Sequence, residues 1–139
     1  DRIIEKELNM KISEIFEKKG EKFFRDFEEK TTLKILKKRN VVISLGGGAF
    51  MSKKVREEIL NNHYSFWLNW NSKTLIKRLQ KNTKRPVALR SSTRELISLI
   101  KKRSKIYCKS KYKINCEQLT KNEIVNKIIN IYEINKVTN

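Results

Sequence analysis

A short run of β-branched and aliphatic residues, Val41-Val42-Ile43-Ser44-Leu45, stops at three consecutive glycines, Gly46-Gly47-Gly48, and this junction constrains the fold more than any other stretch. The run is too short for an ordinary helix and its side chains suit a pleated surface, so it reads as a buried parallel strand. The glycines leave the backbone bare where the strand ends. With no Cβ in the way, a ligand can approach closely and successive N–H groups can face an anion or a hydroxyl. Upstream, Gly20-Glu21-Lys22-Phe23-Phe24-Arg25-Asp26-Phe27-Glu28 opens a helical stretch in which Arg25 and Glu28, three apart, share one face. A cation and a carboxylate so placed hold each other's rotamers. Gly-rich turns also arise for purely steric reasons, and an Arg beside a Glu also suits a surface ion pair. It is the combination within one α/β unit that argues for an anion site.

Around this unit the pattern alternates. Ile3, Ile4, Leu8, Ile12, Ile15 and Phe16 recur at mostly helical spacing with an interruption near Asn9-Met10, which predicts two short helices stopped at Gly20. Glu21 to Lys38 continues as helix, with Asn40 as its end. After the glycines, Ser52 to Asn61 reads as helix and Ser65 to Trp70 as strand. Asn71 or Ser72 can cap a helix running to Gln80. Lys81 to Ser92 holds the only proline, Pro86, and reads as a loop. Thr93 to Tyr107 is helical, Tyr112 to Cys116 a strand, and Lys121 to about Tyr132 a closing helix. Strands alternating with helices imply a parallel α/β sheet in a single domain over 1–139. There is no internal repeat.

With 33 Lys and Arg against 15 Asp and Glu, the formal net charge is +18. That charge attracts anions, including nucleotide phosphates, carboxylates and nucleic acid, without choosing among them. The charges are spread over the chain, as solvated faces are, and 38% hydrophobic residues suffice for a core. Cys108 and Cys116 form no Cys/His cluster and His63 is the only histidine, so a zinc site has no support. Unclustered cysteines fit a reducing compartment, and no apolar run is long enough for a membrane span.

Arg78, Arg85 and Arg103 are further candidates, because planar guanidinium groups bind two oxygens of a phosphate or carboxylate at once. Phosphoryl transfer needs such cations and a mobile loop to exclude water. The alternative is that these are ordinary members of a basic surface, and spacing alone does not decide.

Taken together the pieces resemble the shikimate kinase family over nearly the whole chain. Asp1-Arg2-Ile3-Ile4-Glu5 is similar to the end of the family's D-x-D-x-x-I-E segment, Gly20 to Glu28 to its G-E-x-x-F-R-x-x-E segment, and Leu45 to Ala49 to its glycine loop. Arg85-Pro86 resembles the start of its lid and Arg103 to Tyr107 its R-x-P-x-Y segment. The resemblance implies a three-layer α/β/α P-loop kinase fold of parallel sheet order 2-3-1-4-5, phosphorylating the 3-hydroxyl of shikimate from ATP with Mg²⁺. It implies that Asp1 binds the shikimate hydroxyls and orients or deprotonates the attacking one. Arg25 and Arg103 would clamp the carboxylate, with Glu28 holding Arg25, and Gly46, Gly47 and Gly48 would contact the ring hydroxyls. Ile12, Phe16, Phe24 and Pro86 would form an apolar wall. Arg85, from a lid over about 81–95, and Arg78 would meet the ATP phosphates, with Gln118 near the adenine. The acceptor region would cover about 1–52.

The sequence departs from the family pattern at Lys105, where a proline is usual, and at Asn9-Met10, where T-G is usual. No G-x-x-x-x-G-K-[ST] phosphate loop occurs. The resemblance therefore implies that this loop, the Mg²⁺ ligands and the first two strands precede Asp1, and that the 139 residues alone are inactive. The strand feeding the phosphate loop would lie between Val41–Leu45 and Ser65–Trp70. Its absence would leave backbone groups unpaired, at about 1–3 kcal/mol for each one buried, and the chain unstable or rearranged. Expected partners are shikimate and ATP, with no nucleic acid or membrane, in a cytoplasmic enzyme that is a monomer when complete. Two other readings remain open: a kinase of the same fold acting on gluconate or a nucleotide, and a basic nucleic-acid-binding module centred on Lys105 to Lys113 with Tyr107 and Tyr112.

Overall fold

Asn9 and Gly20 set the helix boundaries at the start of the chain. Helix α1 (Arg2–Leu8) ends on Asn9, whose φ of 48° and ψ of 39° are left-handed, a conformation that asparagine tolerates. Helix α2 (Ile12–Leu36) is broken at Gly20, where φ is 81° and ψ 166°. That backbone region is open almost only to glycine. The predicted stop therefore acts as a sharp kink between two helical arms. The computed structural model describes residues 1–80 and 92–136, and the chain divides into two compact units, Asp1–His63 and Tyr64–Asn139.

In the first unit, Ile4 of α1 packs with Ile15 and Phe24 of α2, bordered by Leu8, Met10, Ile12, Phe16 and Phe27. The apolar spacing of the sequence thus closes α1 onto both arms of α2. A 3₁₀ turn (Ala49–Met51) follows the glycines. Helix α3 (Lys53–Asn62) is then capped by Ser52, whose hydroxyl accepts from the Val55 N–H.

Val41 to Leu45 is not a strand here, which corrects the sequence expectation. No described residue hydrogen-bonds to it as a sheet neighbour, and Val41 and Val42 are exposed rather than buried. The alternation of a strand survives, with Ile43 and Leu45 half-buried and Val42 and Ser44 exposed. A strand needs a paired ladder as well as a suitable sequence. Among the described residues the only paired strands are Phe66–Asn69 and Tyr112–Asn115, and neither of them pairs with this segment.

The second unit holds the parallel pair β1 (Phe66–Asn69) and β2 (Tyr112–Asn115), in register from Phe66 opposite Tyr112 to Asn69 opposite Asn115. These are the two strands that the expected order sets side by side at its end. Ile114, Cys116 and Ile124 form the core with Phe66, Trp70, Leu119 and Ile128 against them. Helix α4 (Ser72–Gln80) is capped by Asn71, whose Oδ1 accepts from the Thr74 N–H at 2.8 Å. Helix α5 (Thr93–Tyr107) opens with a reciprocal Ser92–Glu95 capping box. Helix α6 (Lys121–Lys136) runs four residues past the predicted Tyr132. No helix among the described residues is long and apolar enough to cross a membrane.

Replacing Gly20 with alanine meets no steric neighbour, so its whole cost is backbone conformation. Urea unfolding of Gly20→Ala should show a loss of about 1–3 kcal/mol; unchanged stability would mean that the kink is not required.

Candidate functional site

Glu28 is a buried carboxylate, 6% exposed, near the middle of α2. A charge so placed needs a partner, and the Arg25 Nη1 donates to its Oε2 at 2.7 Å. Arg25 is one third exposed and also reaches Oε1 of Glu21 through Nε and Nη2, both at 3.3 Å. The guanidinium carbon lies 5.1 Å from the ring centre of Phe24 and 5.9 Å from that of Phe16. Those rings meet each other at 4.7 Å. One side of the cation is thus fixed by a buried acid and aromatic faces, while its link to the exposed Glu21 is long and replaceable.

The glycine turn lies directly on this pair. A Cβ added at Gly48 would overlap the Arg25 Nη1 and fall 2.7 Å from its Cζ. A Cβ at Gly46 would come 3.2 Å from Glu28 Oε1 and 3.5 Å from Asp1 Oδ1. Neither glycine has a positive φ, so at both positions it is close approach, not turn geometry, that excludes a side chain. Asp1, the N-cap position of α1, is thereby brought to the Arg25–Glu28 pair and the bare backbone. A cavity of about 220 Å³ touches the same place at Asp1, Glu28 and Gly46 and runs along Thr31, Thr32 and Ile35. It is not lined by Arg25 or Phe16, so it adjoins the cationic site without coinciding with it.

Of the residues singled out in the sequence, the first unit assembles Asp1, Arg25, Glu28, Gly46 and Gly48 with Phe16 and Phe24, and Ile12 joins the same cluster. Gly47 sits within the turn. In the second unit Arg78, on α4, stacks over Trp70 with Cζ 3.7 Å from the ring centre. Arg103 is half-buried on α5 and Gln118 is exposed after β2. Arg85, Pro86 and most of the lid lie outside the described residues.

Three features were not singled out from the sequence. Glu21, four residues before Arg25, was legible as a helical i,i+4 pair. Trp70 beneath Arg78 joins a strand end to a helix, which no spacing rule announces. Behind the glycine turn, Ser52 Oγ donates to Glu29 Oε2 at 2.6 Å and Lys54 reaches Glu29 Oε1 at 3.3 Å. The Ser52 hydroxyl, and secondarily Lys54, holds the Glu29 carboxyl below its ordinary range against the opposing effect of burial. Among the described residues no group of three or more His, Cys, Asp or Glu could hold a metal ion.

The sequence model of the family described as shikimate kinase matches residues 1–133. The shikimate kinase of Thermodesulfovibrio yellowstonii is 37% identical over 134 residues, covering 96% of this chain and 78% of that protein. That of Persephonella marina is 34% identical over 129 residues, covering 93% and 78%. Among solved structures, the shikimate kinase from Acinetobacter baumannii in complex with shikimate superposes with a TM-score of 0.89 at 27% identity, over 98% of this chain and 77% of that one. The enzyme from Aquifex aeolicus gives 0.86 at 28% identity, over 100% and 82%. The fold is therefore the α/β fold of the P-loop kinases, parallel sheet and flanking helices included. Within that class the chain belongs to the shikimate kinase family.

Two outcomes test this geometry. Gly48→Ala should push the Arg25 guanidinium off Glu28, seen as a shifted Arg25 side-chain resonance in NMR; an unmoved resonance would contradict the close approach. The depressed Glu29 pKa makes its contribution to stability full above the usual carboxylate range, about 4.5, and lost as pH falls through the folded value. The stability gap between the wild type and Glu29→Gln should therefore close on acidification from neutral pH, and a gap constant down to pH ~2.5 would contradict it.

Proposed function

We propose that this chain supplies the acceptor side of an enzyme that phosphorylates the 3-hydroxyl of shikimate from ATP, in the route to chorismate and the aromatic amino acids. The observation that carries this reading is the Arg25–Glu28 pair held under the Gly46–Gly48 turn with Asp1 beside it. Shikimate offers one carboxylate and adjacent ring hydroxyls. A guanidinium anchored on one side by Glu28 presents its remaining donors to a carboxylate, which takes the place of the distant Glu21. Gly46, Gly47 and Gly48 admit the ring close to the backbone. The Asp1 carboxylate accepts a hydrogen bond from the attacking hydroxyl, orienting it and receiving its proton. Ile12, Phe16 and Phe24 wall the ring.

The family resemblance adds Arg103 as a second cation for the carboxylate, Pro86 to the apolar wall, and Arg78, Arg85 and Gln118 toward ATP. Catalysis then comes from positioning and cationic stabilisation of the transferred group rather than from a covalent intermediate. Mg²⁺, which such enzymes hold through one or two protein oxygens together with the ATP phosphates, would neutralise phosphate charge. The reading takes 1–139 as one domain of a cytoplasmic, monomeric protein. The two free cysteines support a reducing compartment.

In the full protein that carries these residues, Arg25→Ala should weaken shikimate binding about a hundredfold or more while sparing ATP binding. Arg25→Lys, which keeps the charge and loses the planar fork, should fall between. Calorimetric titration separates the two ligands. Unchanged shikimate affinity in Arg25→Ala, or turnover of gluconate or a nucleotide in preference to shikimate, would overturn the assignment.

A further inference from the structure

Arg25 and Glu28 meet the near end of the glycine turn, at Gly46 and Gly48. Arg56 does not. It is half-buried on α3, and its Nη1 points back along the chain at three backbone carbonyls, those of Phe50 at 3.0 Å, Met51 at 3.1 Å and Ser52 at 3.4 Å. These carbonyls belong to the 3₁₀ turn and to the cap of α3, immediately after the three glycines. The Met51 and Ser52 amides in turn donate to the carbonyls of Gly48 and Ala49 at 2.9 and 3.2 Å. The Ala49 amide donates to the Gly46 carbonyl at 3.2 Å.

A continuous hydrogen-bonded path therefore runs from the Arg56 guanidinium to Gly46 and Gly48. The turn has a second anchor in Ser52, which donates to Glu29 Oε2 at 2.6 Å. Glu29 is the neighbour of Glu28, so one stretch of α2 holds the far end of the turn through Glu29 and meets its near end through Arg25 and Glu28. The clearance between Gly48 and the Arg25 guanidinium leaves no room for a methyl group. A turn with three glycines has wide backbone freedom, and small displacements of it would either crowd Arg25 or open a gap beside it.

We propose that Arg56 is a positioning residue for the acceptor site: it gathers the carbonyls of residues 50–52 and so fixes the glycine turn at the height at which Arg25 and Glu28 meet a carboxylate-bearing polyol. A guanidinium suits this task because its positive charge and fork of N–H donors can meet several carbonyl oxygens at once. The inference rests on the acceptor reading given above, and Arg56 itself touches no reacting group.

The test is made in the full protein that carries these residues, with Arg56→Lys and Arg56→Ala compared against the wild type well below the unfolding temperature of each. Arg56→Ala should raise KM for shikimate about tenfold while leaving KM for ATP within about twofold, and Arg56→Lys should recover part of the loss. Amide hydrogen exchange at residues 46–49, measured without ligand, should quicken in Arg56→Ala and return toward the wild-type rate in Arg56→Lys. If Arg56→Ala proves too unstable to assay, Arg56→Lys and Ser52→Ala carry the same two measurements. Equal rises in both KM values, or unchanged exchange at 46–49 in a folded variant, would refute the positioning role. A wild-type protein that consumes no ATP in a shikimate-dependent way would overturn the acceptor reading, whereas an active wild type with indifferent Arg56 variants would overturn this inference alone.

Discussion

The ion pair between Arg25 and the buried Glu28 is the interaction on which the rest of the first unit turns. An unpaired carboxylate at that depth would be strongly destabilising, so Glu28 commits Arg25 to one rotamer. Phe16 and Phe24 reinforce that choice from the side, and they can do so only because Gly20 bends α2 and brings its first arm back toward its second. The kink, the aromatic pair and the ion pair are thus one arrangement.

The fixed cation in turn decides what the following loop can be. Its distance to Gly48 admits a bare backbone and nothing larger. The same α2 helix holds the next residues of the turn through Glu29 and Ser52, and α3 holds them from behind through Arg56. The site is therefore built on two helices with a flexible backbone clamped between them. That construction allows a mobile residue type to serve as a rigid wall.

Against this order stands the segment 41–45. It alternates as a strand does, yet it makes no ladder among the described residues and turns its valines to solvent. The pair β1 and β2, which does find a partner within the chain, forms the expected parallel ladder with a proper core beneath it. The contrast locates the difference in pairing rather than in propensity. Both segments have strand sequences, and among the described residues only one has a sheet neighbour.

Much of this was readable from residue order. Helical spacing of Ile4, Ile15 and Phe24, the stop at Gly20, the cap at Asn71 and the i,i+3 relation of Arg25 to Glu28 are local, depending on residues a few positions apart. The sequence by itself also determined the family, because several short blocks stood in the right order and at the right intervals. What it could not determine was which of many basic residues would work together, since 33 of them differ little in type. Only the tertiary structure set Gly48 on Arg25, turned Arg56 onto carbonyls and placed Trp70 under Arg78. It also withheld the strand at 41–45. The reason is the same in each case: close approach, carbonyl clustering and sheet pairing depend on where distant backbone comes to lie, and that is fixed by packing rather than by spacing along the chain.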